Sequence, residues 1–118
     1  MSDVTELVLD SESWKLEAEA VIGDIKDHVN EIKICDKLAS TNQTIFFNIE
    51  TLEGNKVCVE LSSFGFRVVG SNYDATDLSD NQTECFETPY SLLSSISAGF
   101  ANSFGNSLAE KLNTLNNI

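Results

Sequence analysis

Basic residues are scarce in this chain: seven lysines and arginines stand against nineteen aspartates and glutamates, a formal charge of −12. A phosphate backbone would meet repulsion over most of such a surface, so nucleic acid is a poor partner, and an anionic membrane surface is disfavoured for the same reason. Long apolar runs are missing too, since no stretch approaches the ~20 residues needed to cross a bilayer. Met1 to Asp10 carries acids where a signal peptide needs a basic start and holds no long apolar segment, so secretion is not indicated. The cysteines, Cys35, Cys58 and Cys85, are odd in number and widely spaced, which fits reduced thiols better than a disulfide framework. The expectation is a soluble cytoplasmic protein, with the nucleus also open to it.

Catalytic chemistry is equally thin. His28 is the single histidine, with Asp24 four residues before it, and the pair reads as a surface salt interaction because no third metal ligand is evident. Nothing resembles a nucleophile elbow that would set a serine against His28. The cysteines lack paired spacing, and Cys58, within a predicted strand, reads as a small buried thiol. Asp74, Asp77 and Asp80 recur every third residue, whereas a calcium loop wants alternate positions, a central glycine and a closing glutamate. Gly65, Gly70 and Gly105 form no phosphate-cradling loop. Two glycosylation sequons, at Asn42 and Asn81, read as ordinary loop residues without secretion. No catalytic residue, cofactor or metal is expected, and the chain reads as non-enzymatic.

What is present is a foldable domain. With 118 residues, 42% apolar and 22% charged, the chain can build one core without staples. Residues 1–12 read as a flexible tail and residues 13–118 as a single domain. Trp14, Ala18, Val21, Ile25, Val29 and Ile32 follow at steps of three or four, which predicts one long helix capped by Ser13 and continuing through Gly23. Thr44 to Thr51 then alternates, with Ile45, Phe47 and Ile49 on one side. Glu53-Gly54-Asn55 supplies a turn, Lys56 to Leu61 alternates again with Val57, Val59 and Leu61 inward, and a second turn at Ser63 to Gly65 leads into Phe66 to Gly70. Ser71 to Thr83 reads as a surface loop anchored by Tyr73. The fold class is α+β: an antiparallel β-meander of three or four strands packed against a long N-terminal helix and C-terminal helices.

Thr88-Pro89 has the signature of an N-cap followed by proline at the first helical position, opening a short helix through Leu92, Leu93 and Ile96. Ser97 caps the next. That last helix carries Phe100, Phe104, Leu108, Leu112 and Leu115 at steps of four, four, four and three. Phe100 and Phe104 are large enough to anchor it on the domain. Leu112 and Leu115 sit among Asn113, Thr114, Asn116 and Asn117 with little chain left to cover them, so the end of the stripe is expected to dock on another protein.

Specific strings sharpen this reading: Leu16-Glu17-Ala18-Glu19-Ala20-Val21 in the first helix, Val68-Val69-Gly70 in the third strand, and Tyr90-Ser91-Leu92-Leu93 with Phe104-Gly105-Asn106 near the C-terminus. Together, and in order from about Lys15 to Leu115, they resemble the glycogen synthase kinase-3 beta interaction protein family, the GSKIP domain. The resemblance implies a non-catalytic protein that binds glycogen synthase kinase-3 through its C-terminal helix and inhibits or scaffolds the kinase. The contacts carried over are Phe104, Leu108, Leu112 and Leu115, with Leu112 matching the family's most important leucine. A stripe of this kind is more often core than docking surface, and Phe104 is expected to pack inward, whereas docking is preferred for Leu112 and Leu115.

Members of the family also anchor protein kinase A by presenting the first helix to its regulatory subunit. The corresponding face here is Ile22, Ile25, Lys26 and Val29, with Lys26 where anchoring members have leucine and Glu19 and Lys33 adding charge, so protein kinase A anchoring is expected to be weak or absent. The alternative to kinase binding is a generic assembly module, because a similar domain occurs in clustered-mitochondria proteins.

Overall fold

The computed structural model describes residues 11–35, 44–78 and 83–116, with the side chains of 11–14 and 114–116 left aside. Helix α1 spans Ser11–Ile25 and runs into a 3-10 turn at Lys26–His28. Strands β1 (Glu31–Ile34), β2 (Thr44–Glu50), β3 (Lys56–Ser62), β4 (Gly65–Gly70) and β5 (Cys85–Phe86) follow, and helices α2 (Pro89–Ile96) and α3 (Ala98–Asn116) close the described chain. All five strands form one antiparallel sheet in sequence order, so the meander has more strands than expected.

The largest correction concerns the first helix. α1 begins at Ser11, so Ser13 lies inside it rather than capping it, and it stops at Ile25 instead of reaching Ile32. Val29 is already extended, at φ −138° and ψ 163°, and Ile32 belongs to β1. Both periodicities are satisfied by Val29, Ile32 and Ile34, but β1 pairs Ile32 with Ile49 and Ile34 with Phe47, and that ladder decides between them. Residues 1–10 of the expected tail, Asp80 and the residues 36–43 and 79–82 around the two sequons lie outside the described residues.

One face of the sheet carries the core. Ile45, Phe47 and Ile49 of β2 stand opposite Leu61, Val59 and Val57 of β3, and Phe66 of β4 continues the row to Phe86 of β5. Ala18, Val21 and Ile25 of α1 lie on this face at helical spacing, joined by Leu92 and Leu93 of α2 and by Phe100 of α3. Gly65 sits at φ +121°, and a Cβ there would lie 2.2 Å from the carbonyl oxygen of Phe86, so the β3–β4 turn admits only glycine beside β5.

The opposite face is closed at one end by the loop after β4. Buried Asn48 donates from Nδ2 to Asp74 Oδ1 at 2.9 Å and accepts the Asp74 backbone N–H on Oδ1 at 3.0 Å. The Cys35 thiol donates to the same Asp74 oxygen at 2.9 Å, and Asp74 adopts φ 59°, a left-handed conformation that aspartate tolerates. Tyr73 anchors the loop as expected, donating to Glu31 Oε1 at 2.7 Å, with Lys33 and Lys56 near its ring. Cys58 is buried beneath this strap. Desolvation, with the charge of Cys35 next, pushes its thiol pKa up to about 12.

Candidate functional site

The last helix is fixed at its start by two devices, one local and one remote. Thr88 caps α2 by accepting the Ser91 N–H at 3.1 Å, with Pro89 in the first turn, and α2 ends where the Ser97 N–H reaches the Leu93 carbonyl at 2.8 Å. Ser97 then turns the chain into α3 and accepts the Phe100 N–H on its hydroxyl at 2.9 Å. The remote device is Glu53, in the turn between β2 and β3. Its Oε1 accepts the Ser97 hydroxyl at 2.7 Å, and its Oε2 accepts the Gly99 N–H at 2.7 Å. A carboxylate at a helix N-terminus satisfies donors that have no partner within the helix and meets the positive end of its dipole. The hydrogen bond from Ser97, then that from Gly99, holds the Glu53 carboxyl below the usual carboxylate range.

The next two turns of α3 are anchored by aromatic stacking. Phe100 is fully buried. Phe104 stacks on Phe100 at a centroid distance of 5.5 Å and on Tyr90 at 4.8 Å, and His28 meets both phenylalanines edge-on at 5.9 and 5.5 Å. Phe104 is half-buried and packs against the core, as expected for it. His28 and Asp24 make different contacts from the salt interaction expected: His28 Nδ1 lies 2.7 Å from the Ser103 hydroxyl, and Asp24 accepts the Tyr90 hydroxyl at 2.9 Å. The 3-10 turn after α1 brings His28 onto α3, and α2 brings Tyr90 onto α1, so each finds a partner far away in sequence.

Beyond Phe104 the helix becomes largely exposed. Leu108 is 49% exposed and Leu112 52% exposed, one turn apart on the same side as Phe104. The side chain of Leu115 lies outside the described residues. The four residues picked from the sequence therefore divide: Phe104 forms the root of the helix, and Leu108 and Leu112 form an apolar strip with no cover among the described residues.

The face considered for protein kinase A anchoring is not a continuous surface. Ile25 and Val29 belong to the buried core, Ile22 is half-buried against it, and Lys26 is exposed. The corrected end of α1 explains this, because the 3-10 turn and the extended Val29 fold these side chains inward beneath the sheet. Glu53 was not legible as a participant: it acts on a helix 46 residues away, and no local pattern signals that contact. Among the described residues no group of three or more His, Cys, Asp and Glu side chains is arranged to hold a metal ion, and no helix is long and apolar enough to cross a membrane.

Comparison with known proteins places this geometry in context. The GSKIP domain profile matches residues 14–115. A zebrafish (Danio rerio) protein named GSK3-beta interaction protein is 39% identical over 101 residues, covering 86% of this chain and 75% of its own length. The human (Homo sapiens) GSK3B-interacting protein is 38% identical over 106 residues, covering 90% of this chain and 76% of its own. A fruit-fly (Drosophila melanogaster) protein named Protein GSKIP homolog is 28% identical over 92 residues, covering 75% and 76%.

Proposed function

This chain belongs to the GSKIP domain family, and from that premise we propose that it binds glycogen synthase kinase-3 through α3 and so inhibits or scaffolds the kinase. The observation that carries the reading is the exposure of Leu108 and Leu112 on a helix whose first turns are rooted by Phe100 and Phe104. An amphipathic helix offering aliphatic anchors one turn apart suits a hydrophobic groove, where a few buried side chains supply most of the affinity. The relatives' names state an interaction with this kinase, which supports the same partner here. Inhibition or scaffolding follows from which kinase surface the helix occupies.

Protein kinase A anchoring is proposed to be weak or absent. Ile25 and Val29 are committed to the core, and the exposed neighbour Lys26 would bring an uncompensated ammonium into any apolar groove. A submicromolar affinity for the regulatory-subunit docking domain would overturn this part of the reading.

The test is titration calorimetry of the whole chain, and of Leu112→Ala, against purified glycogen synthase kinase-3. Truncating a groove anchor is expected to cost about 2 kcal/mol or more of binding while the variant stays folded. Absence of binding by the unaltered chain would sink the kinase assignment.

A further inference from the structure

A cleft of about 380 Å³ lies between α1 with its 3-10 turn and the middle of α3, directly beside the exposed Leu108. Asp24 and Asp27, three residues apart and therefore neighbours on one side of the chain, line it from the first element. Tyr90 and Phe104 supply aromatic wall, and Leu108 and Lys111 line it from α3. One oxygen of Asp24 is held by the Tyr90 hydroxyl, and neither aspartate is ion-paired among the described residues, with Lys111 or any other cation.

Gly23 adds an independent observation. Glycine inside a helix costs about 1 kcal/mol relative to alanine, so it is usually explained by a close neighbour. Here a Cβ would meet nothing within 4 Å, and Gly23 lines the cleft. Gly23 therefore lines the cleft without putting a side chain into it. A side chain placed there would occupy the space that Asp24 and Asp27 border.

We infer that this cleft receives an arginine side chain presented by the protein that docks on Leu108 and Leu112. It rests on the reading of α3 as a docking helix and adds a polar specificity element to it. The chemistry favours arginine: a planar guanidinium has five donors for two adjacent carboxylates, and its apolar stem and flat face suit an aromatic wall. A chain of formal charge −12 draws a cation toward that wall, and Lys111 limits the site to one added positive charge. The cleft is continuous with the leucine strip through Leu108, so one partner surface reaches both.

The test has two arms. In the first, the nitrogen-labelled whole chain is titrated with acetyl-arginine amide and, separately, with its neutral analogue acetyl-citrulline amide, followed by amide chemical shifts. The expected result is a saturable millimolar response confined to amides around Gly23, Asp27, Ser107 and Leu108, absent with citrulline. Asp24→Asn with Asp27→Asn should weaken it roughly tenfold. Gly23→Gln should abolish it while raising the melting temperature. Shifts scattered over the whole acidic surface, equal shifts with citrulline, or an unchanged response in Gly23→Gln would each overturn the site. In the second arm, Asp27→Asn and Gly23→Gln are titrated against glycogen synthase kinase-3 beside Leu112→Ala. Weakening by all three supports one continuous surface. Loss with Leu112→Ala alone removes the cleft from that interface and leaves the docking reading standing, and a positive first arm with no kinase binding at all does the reverse.

Discussion

The Glu53 carboxylate accepts the backbone N–H of Gly99 at 2.7 Å across 46 residues of chain, tying the β2–β3 turn to the first turn of α3. Gly99 leaves room for that approach: a Cβ there would lie 2.9 Å from Glu53 Oε2 and 3.0 Å from Leu52 Cβ, so a larger residue would push the carboxylate aside. The bearing of α3 is thereby set by the turn between β2 and β3.

Acidification should release this tie. Hydrogen bonds from Ser97 and Gly99 depress the Glu53 pKa in the folded state, so its contribution is present above the unfolded value of 4.5 and is lost as pH falls through the folded value. Melting temperatures of the chain and of Glu53→Gln should differ at roughly pH 6 and converge toward roughly pH 3. A gap that widens on acidification would contradict the sign.

Phe104 and Leu112 should separate stability from binding. Phe104→Ala removes a ring stacked on both Tyr90 and Phe100 and is expected to cost about 3 kcal/mol in urea unfolding. Leu112→Ala removes an exposed side chain and should change unfolding by less than about 0.5 kcal/mol. Equal destabilisation by the two would mean that the outer part of α3 is packed as tightly as its root.

Gly65→Ala should damage the sheet edge. The substitution forces alanine into φ +121° and drives its Cβ onto the Phe86 carbonyl, which together should cost about 3 kcal/mol. Loss of amide protection at Cys85 and Phe86, whose pairing with β4 is displaced, would locate the damage.

The thiols should react in a fixed order. Cys85 is exposed, whereas Cys58 is buried with its pKa raised to about 12, so an alkylating agent near neutral pH should label Cys85 and spare Cys58. Asn48→Ala removes two of the hydrogen bonds that hold Asp74 over the sheet, leaving the one from Cys35, and should make Cys58 more reactive. Mass spectrometry of the labelled peptides gives the order directly.

Much of the fold was legible because its signals are local. The alternation of Ile45, Phe47 and Ile49 against Val57, Val59 and Leu61 fixed the central hairpin and its inward face, and the observed register pairs these residues directly. Thr88, Pro89 and Ser97 marked the two last helices because caps act within three residues. The spacing of Phe100, Phe104, Leu108 and Leu112 gave the stripe on α3 without reference to anything else in the chain.

What the sequence could not decide depended on partners supplied from afar. Val29 and Ile32 fit a helical stripe as well as a strand, and only the ladder to Ile49 and Phe47 selected the strand. His28 and Asp24 had the spacing of a helical pair, yet Ser103 and Tyr90 offered better-placed partners once the helices packed. Periodicity determined which residues share a face of α3. Burial of Phe100 and Phe104 against the domain, and the grip of Glu53 on the helix start, decided where that face turns from core to solvent, because exposure is a property of the packed molecule and not of spacing along the chain.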